Sequence, residues 1–338
     1  MRTGEHVVIT GGAGYIGSLV CGELLRTGHL VTVVDSLLYG GDALLAFLNH
    51  PNFHFVKTDV CEAGAVRLAL RHDWPRPSAL MHLAGLAGYP VCQAVGRDVA
   101  CRYNVDATQR VFDQADQLGI RRFIFSSTYS VYANNPECAP VTEESPLESH
   151  SLYSETKIAA EDWLRQHSAS SSTALLVFRL PTTYGISPRV RFDLLINQLV
   201  LEAFIQRELV IYQRNYSRSF LHVDDAVRGF VMALSAPDEL VRGQVYNLGG
   251  EGGNYTKDEI VNLIMERLSG VIVHYKDYSF GGEHRDLVVS FARVQQQLGF
   301  ETRKTAIEGV DELLNALRTR LIRNPYDRRY RNADTFVQ

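Results

Sequence analysis

The sequence predicts an α/β fold, a Rossmann-type doubly wound parallel sheet with a smaller C-terminal α/β substrate domain. Short apolar runs alternate with longer amphipathic segments through the first half of the chain, which is typical of a parallel sheet covered by helices on both faces. The apolar runs show no in–out alternation, as expected for strands buried on both sides. A glycine-rich turn also joins the first run to the first helical segment.

Each element of the first half follows from this pattern. The predicted strands are His6–Thr10, Leu30–Val34, Phe53–Lys57, Ala79–Leu83, Arg122–Ser126 and Ala174–Arg179. The predicted helices between them are Ile16–Thr27, Ala63–Arg71, Ala100–Gly119 and Tyr153–Ser168. We therefore expect a dinucleotide-binding domain over residues 1–180, with a return segment at about 218–248.

The second half has a looser pattern, in which we expect an interleaved substrate domain over residues 181–320. The predicted helices are Val190–Glu208, His222–Leu234 and Thr256–Leu268, and the predicted strands are Leu209–Tyr212 and Val245–Leu248. Thr256 with Glu259 three residues later forms a capping-box pattern. The basic, polar residues 321–338 are expected to form an exposed end.

Composition excludes several classes of protein. The 338 residues carry 34 basic and 38 acidic side chains, a net charge of −4, so no global field attracts nucleic acid or an anionic membrane. No apolar run reaches the roughly 18 residues of a membrane span, and no signal-peptide pattern opens the chain. The five cysteines form no C-x-x-C pair; they suggest free thiols in a cytoplasmic protein without a metal site.

A glycine-rich loop carries the first functional signal. Gly12, Gly14 and Gly17 fit G-x-G-x-x-G directly after the first strand. Gly11, Gly14 and Gly17 also fit G-x-x-G-x-x-G. Such a loop lets the backbone approach a pyrophosphate at the start of a helix. Asp35 ends the second strand, where a carboxylate binds the adenosine ribose and repels a 2′-phosphate. The pattern predicts NAD binding in preference to NADP.

Asp59 and Val60 follow the third strand, and two interpretations of the carboxylate stay open. It could reach the adenine amino group of a dinucleotide, or it could cap the next helix.

A tyrosine and a lysine four residues apart, Tyr153 and Lys157, carry the second signal. On a helix both side chains project from one face. A tyrosine hydroxyl has a pKa near 10 and is a poor base at neutral pH, but a nearby ammonium favours its phenolate. The pair therefore suits acid/base work on an alcohol or ketone, and Thr128 could hold the same substrate oxygen.

With these motifs in order, the chain resembles extended short-chain dehydrogenases/reductases of the nucleotide-sugar epimerase/dehydratase family. The resemblance covers nearly the whole length. Besides the glycine loop, Asp35, Asp59-Val60 and the Tyr153/Lys157 pair, it is carried by His82–Gly85, Asn104-Val105, Ser126–Thr128, Val131-Tyr132, Arg179 with Tyr184-Gly185, His222–Asp225 and Tyr246–Gly249.

The resemblance implies a role for each matching residue. Tyr153 is the expected acid/base, Lys157 binds the nicotinamide ribose, and Thr128 contacts the reacting hydroxyl. The expected NAD-binding residues are Gly11, Gly14, Tyr15, Ile16, Gly17, Asp35, Asp59, Val60, Leu83, Ala84, Gly85 and Asn104, together with Tyr153 and Lys157. The expected substrate-binding residues are Thr128, Thr182, Arg191, Asn197, Arg218 and Arg285. The family also implies a nucleotide-diphosphate sugar as partner and a homodimer; His82 and His222 are expected to be structural.

Departures from the family pattern narrow the expected chemistry. Dehydratases of the family carry an Asp-Glu pair directly after the catalytic threonine, whereas this chain has Tyr129 and Ser130. Thr182 replaces an asparagine that often contacts substrate. Arg189 and Arg191 could bind a phosphate or a sugar carboxylate, and Cys92 is expected to be a buried, inert thiol.

Three functions remain open at this stage. The leading hypothesis is an NAD-dependent nucleotide-sugar 4-epimerase, in which transient oxidation gives a 4-keto sugar. The second is a ketoreductase or dehydrogenase of deoxysugar synthesis, and the third is a non-catalytic dinucleotide-sensing protein. The sequence does not identify the sugar or its nucleotide.

Overall fold

A parallel sheet of seven strands forms the centre of the computed structural model, which describes residues 4–133, 139–276 and 286–335. The strands lie in the order β10-β6-β5-β4-β1-β2-β3. They are β1 His6–Thr10, β2 Leu30–Asp35, β3 Phe53–Lys57, β4 Ala79–His82, β5 Arg122–Thr128, β6 Ala174–Leu180 and β10 Gln244–Asn247. The predicted doubly wound sheet is confirmed, and the chain reverses its direction of winding between β1 and β4. Ligands bind at such switch points, beyond the carboxyl ends of the strands.

Helices cover both faces of this sheet and build most of the second half. They are α1 Gly17–Arg26, α2 Tyr89–Val95, α3 Arg97–Cys101, α4 Ala107–Gln117, α5 Leu152–Ser168, α6 Leu195–Ile205, α7 Val223–Ser235, α8 Lys257–Met265, α9 Ala292–Leu298 and α10 Ala306–Arg318. No helix of the described segments is long and apolar enough to cross a membrane.

Two small sheets belong to the second half. One contains β11 Asn254–Thr256, β9 Ser217–His222 and β7 Thr182–Tyr184, and the other pairs β12 Ile272–Lys276 with β8 Glu208–Tyr212. Residues of α6, α8 and α10 form a hydrophobic core there, separate from the two cores that flank the central sheet. The capping box of Thr256 and Glu259 is present at the start of α8.

The structure corrects two predicted helices. The segment Ala63–Arg71 forms only a 3₁₀ turn at Arg67–Ala69, because Gly64 adopts a φ of +83° that no α-helix continues through. The helix predicted over Val190–Glu208 begins only at Leu195, since Arg191 and Asp193 form an ion pair in the preceding loop. Strand β9 was not expected.

A single π-helical turn, Arg102–Asp106, lies between α3 and α4 and makes them one long helix. Such turns often mark functional sites. Here the turn carries Asn104, whose buried side chain contacts the loop after β4. The long helix thereby holds the loop that follows β4 in place.

Candidate active site

A cavity lies at the carboxyl ends of β1, β4 and β5, and encloses about 1020 Å³, part of it open to solvent. A second, adjoining part of about 620 Å³ extends past the end of β2. Together their walls bring the glycine loop, Asp35, Asp59, Thr128 and Tyr153 to one crevice. This is the location that the switch point of the sheet predicts.

The glycine loop leaves no room for side chains at its closest approaches. A Cβ on Gly11 would lie 2.6 Å from the Ala84 nitrogen, and one on Gly17 would lie 2.2 Å from the Gly11 oxygen. Gly11 also has a φ of +74°, which favours glycine. The loop residues Gly11, Gly14, Tyr15, Ile16 and Gly17 all line the cavity at the start of α1, where backbone N–H groups and the helix dipole favour a phosphate.

Asp35 fixes the shape of this loop as well as facing the cavity. Its carboxylate accepts hydrogen bonds from the Ala13 nitrogen at 3.0 Å and from the Leu37 nitrogen at 2.7 Å. Burial raises the pKa of Asp35 above its usual value, while these two N–H groups and the charge of Arg189 oppose the rise. Each oxygen of a carboxylate can accept more than one hydrogen bond, and Asp35 lines the cavity.

Asp59 caps no helix, and its contact with the adenine of a dinucleotide stays a prediction. One oxygen accepts a hydrogen bond from the Cys61 nitrogen at 2.9 Å, and the other accepts one from the Tyr103 hydroxyl at 2.9 Å. No helix follows, so Asp59 stabilises a turn. Asp59 and Val60 nevertheless line the same part of the cavity as Asp35.

The loop after β4 forms the opposite wall. Leu83, Ala84 and Gly85 line the cavity, whereas Asn104 lies behind them with 1% of its surface exposed. The side-chain oxygen of Asn104 accepts a hydrogen bond from the Leu86 nitrogen at 2.7 Å. Its side-chain NH₂ group donates to the Leu86 oxygen and to the Thr156 hydroxyl. Asn104 therefore positions the loop that follows β4. It does not line the cavity, and its predicted contact with the cofactor stays a prediction.

Tyr153 and Thr128 line the cavity together, from α5 and from the end of β5. The Thr128 hydroxyl oxygen accepts a hydrogen bond from the Ser130 nitrogen at 3.1 Å, which fixes its direction. A capping box of Ser151 and Ser154 begins α5 immediately before Tyr153. The helix start is thereby well defined at Tyr153.

Lys157 lies one helical turn below Tyr153 and is deeply buried. Its ammonium donates to the Ser126 oxygen at 2.9 Å and lies 4.6 Å from the centre of the Phe125 ring. Burial lowers the pKa of Lys157 to about 8, with Cys92 and Glu161 opposing the shift. The group is still mainly protonated at neutral pH, so it can stabilise a phenolate on Tyr153.

The dehydratase positions hold no acid. Tyr129 lines the cavity, with its hydroxyl 3.2 Å from the Thr182 hydroxyl, and Ser130 is buried beneath it. Among the residues that the structure describes, no aspartate or glutamate lines the part of the cavity that contains Tyr153 and Thr128.

Some of the other predicted substrate-binding residues line the cavity and others do not. Thr182 and Arg191 line the cavity. Asn197 is fully buried and bonds the backbone of Gly185 and Arg191, so the expected direct substrate contact is replaced by a supporting role. Arg218 is half-buried on β9, away from the cavity lining. Arg285 lies outside the described residues.

The residues that line the cavity without being expected from the sequence include two polar ones from distant segments. Tyr39 follows β2, and Asn332 comes from the segment that was expected to be an exposed end. Asn332 is only 4% exposed and donates to the Ala87 oxygen at 3.1 Å. The Tyr39 position, four residues after Asp35, could have suggested proximity to the cofactor; no local pattern distinguishes Asn332 from its polar neighbours.

Comparison with known proteins assigns the family. The model of the NAD dependent epimerase/dehydratase family matches residues 7–249. The chain belongs to this family. It is accordingly an enzyme of the extended short-chain dehydrogenase/reductase type with NAD as cofactor. The cavity lined by the glycine loop, Asp35 and the start of α1 fits such a cofactor.

Relatives of this family member include both epimerases and dehydratases. A dTDP-glucose 4,6-dehydratase of Streptomyces griseus is 32% identical over 310 residues, covering 87% of this chain and 88% of the relative. A UDP-glucose 4-epimerase of Bacillus subtilis is 28% identical, with 91% and 94% covered. Among solved structures, MoeE5 in complex with UDP-glucuronic acid and NAD is 26% identical, with a TM-score of 0.79 over 93% of this chain and 99% of that one.

Proposed function

We propose that this family member is a nucleotide-sugar 4-epimerase. The reaction oxidises the C4 hydroxyl of the sugar to a ketone and reduces the ketone from its opposite face, so the cofactor ends unchanged. NAD, when bound, would accept a hydride in the first half-reaction and return it in the second. The substrate class, a nucleotide-diphosphate sugar, is that of the epimerases and dehydratases to which the chain is similar.

One observation carries the choice between the two reactions. Elimination of water across C5 and C6 needs a carboxyl acid/base beside the sugar. At the two dehydratase positions the described cavity wall offers Tyr129, with Ser130 buried next to it in the chain. A phenol and a serine hydroxyl are weak acids with pKa values far from neutral. Oxidation and reduction at a single carbon need neither group.

The side chains of the site supply the proton transfer. Tyr153 removes the proton of the C4 hydroxyl and returns it when the ketone is reduced. Lys157 stabilises the phenolate form from one helical turn below, and Thr128 hydrogen-bonds the same substrate oxygen. A positioned acid/base of this kind contributes roughly 10²- to 10⁴-fold to a rate.

The test is NMR spectroscopy of the purified protein with NAD and a panel of UDP-, dTDP-, GDP- and CDP-sugars, without added reductant. We expect one sugar to equilibrate with its C4 epimer. Tyr153→Phe should abolish this conversion while retaining NAD, and Tyr326→Phe, at an exposed tyrosine, should leave it unchanged. A 4-keto-6-deoxy product would overturn the proposal in favour of the dehydratase, and accumulation of NADH would favour a dehydrogenase.

A homodimer and a cytoplasmic location form a further part of this proposal. On α5, Ala159 is exposed and Ile158 half-buried, beside the half-buried Val105 in the π turn; two such helix pairs could pack as a four-helix bundle. Cys21, Cys61, Cys92 and Cys101 are free thiols, as is usual in a reducing compartment. Light scattering should show a dimer that Ala159→Arg dissociates, whereas a monomeric wild type would contradict the dimer.

A further inference from the structure

Arg189 is a buried cation in the wall of the cavity. Only 6% of the residue is exposed, and its Nε and Nη2 atoms are buried with no hydrogen-bond partner in the described parts of the chain. Its guanidinium lies 4.4 Å from the centre of the Tyr39 ring. The Tyr39 hydroxyl is itself buried and unpartnered among the same residues. Three unsatisfied donors therefore meet at one wall of the cavity, where an unpaired polar group is energetically costly.

The neighbouring charges do not neutralise Arg189 by contact. Arg191 takes Asp193 in a two-point ion pair, at 3.0 and 2.7 Å, and donates also to the Ala87 oxygen. Asp35 is engaged by the Ala13 and Leu37 nitrogens. Of the two arginines that could bind an anion, Arg191 is already satisfied and Arg189 is not.

Arg189 stays charged at neutral pH. Burial, and next the charge of Arg191, lower its pKa to about 10, whereas Asp193, Tyr39 and Asp35 favour the protonated form. The side chain therefore presents a positive charge to the cavity, and an anion is the ligand that compensates it.

The backbone before Arg189 is fixed to the start of α1. The Tyr15 hydroxyl donates to the Gly185 oxygen at 2.8 Å, and the Ser187 hydroxyl donates to the Tyr15 oxygen at 2.6 Å. The Arg189 nitrogen then donates to the same Ser187 hydroxyl at 3.3 Å. The backbone of Arg189 is thereby held beside the start of α1, the helix that follows the glycine loop.

We propose that Arg189 and the Tyr39 hydroxyl bind the diphosphate of the dinucleotide, from the side opposite the glycine loop. Loop and arginine then enclose one anion between them, so the cofactor stays bound between turnovers. A nucleotide-sugar diphosphate and a sugar carboxylate are the competing anions, and the experiment separates them. The inference concerns cofactor binding and does not depend on which sugar reaction the enzyme performs.

The test compares ligands that differ by one group. Isothermal titration of NAD-depleted protein would measure the affinities for adenosine, ADP-ribose, NAD and UDP. For Arg189→Met we expect the affinities for ADP-ribose and NAD to fall about 10- to 150-fold, the range for hydrogen bonds to charged groups, with adenosine and UDP changed less than threefold. Arg189→Lys should recover part of the loss, and the NAD content of the purified variant should fall.

Tyr39→Phe is the second variant, because it removes one hydroxyl and keeps the ring beneath the guanidinium. It should weaken ADP-ribose binding by a smaller factor of about 2- to 12-fold, as for a neutral hydrogen bond, and spare adenosine. The proposal is overturned if ADP-ribose affinity is unchanged in both variants, if adenosine affinity falls equally, or if only UDP or nucleotide-sugar affinity falls.

Discussion

Glu161 and Arg179 form a buried ion pair directly below the strand end that carries Thr128. The carboxylate accepts from Arg179 Nη2 at 2.7 Å and from Nε at 3.1 Å, and both side chains are at most 1% exposed. Glu161 also accepts a hydrogen bond from the Ser127 hydroxyl, and Arg179 donates to the Tyr132 hydroxyl at 3.1 Å. The pair joins α5, which carries Tyr153, to β5, which carries Thr128, and to β6.

Glu161→Gln should therefore destabilise the protein strongly. Removal of one partner leaves the Arg179 charge buried without compensation, which costs about 3–5 kcal/mol in comparable pairs. Urea unfolding would show a lower midpoint. Asp162→Asn, at the exposed neighbouring position of the same helix, should change the free energy of unfolding by less than about 0.5 kcal/mol. Equal shifts in the two variants would contradict the role of the buried pair.

Asp35→Asn should reduce the preference for NAD. The variant keeps an oxygen acceptor but loses the negative charge that repels a 2′-phosphate. We expect the ratio of NADP to NAD affinity to rise about tenfold or more, measured by fluorescence titration. Asp73→Asn, at an exposed carboxylate paired with Arg71, is the matched control. An unchanged ratio would mean that another group sets the cofactor preference.

The parts of the site that depend on local spacing were predictable from the sequence. Gly11, Gly17 and Asp35 belong to one strand–loop–helix–strand unit, whose geometry forces them together. Tyr153 and Lys157 share a helix face for the same reason. Gly11, Gly17, Asp35 and Tyr153 line the crevice, and Lys157 is buried with its ammonium donating to the Ser126 oxygen.

The parts that depend on long-range packing were not predictable. Asn197 has the right residue type for a substrate contact, but the fold directs both ends of its amide to backbone at Gly185 and Arg191. Asn332 reaches the cavity because its segment packs across it, with the Asn332 nitrogen donating to Asp193 at 3.2 Å. A contact between residues about 140 positions apart leaves no signal in a single sequence.

Lys157→Met should stabilise the cofactor-free protein at neutral pH while removing activity. The folded-state pKa of about 8 lies below the ordinary lysine value of 10.5, so below pH 8 the folded protein holds a charge that burial disfavours. As pH rises from 8 to 10.5, the folded state has lost this proton and the unfolded state has not, so wild-type stability rises. From these pKa values, the free energy of unfolding of Lys157→Met relative to wild type should fall by about 2–3 kcal/mol between pH 7 and pH 10.

Urea unfolding of both proteins at the two pH values measures this difference. Lys57→Met, at the exposed end of β3, should show no such pH-dependent difference from wild type. A constant difference between wild type and Lys157→Met at both pH values would show that the buried ammonium does not titrate in this range.

Asn332→Ala should weaken substrate binding without affecting NAD. A backbone carbonyl only accepts hydrogen bonds, so the group of Asn332 that faces the Ala87 oxygen is the amide NH₂. The side-chain oxygen is then left buried, with no partner among the described residues, on the wall shared with Tyr153 and Thr128. A substrate hydroxyl or N–H would satisfy it, at a gain of about 0.5–1.5 kcal/mol.

The expected result is a rise in KM for the nucleotide sugar of about 2- to 12-fold, with kcat and NAD affinity within twofold of wild type. Asn324→Ala, in the same segment at an exposed position, should leave KM unchanged. If Asn332 only anchors the segment, the two catalytic constants and NAD affinity should change together. That result would exclude the unpaired oxygen from substrate recognition. Removal of a contact made equally in the ground state and the transition state raises KM and leaves kcat unchanged.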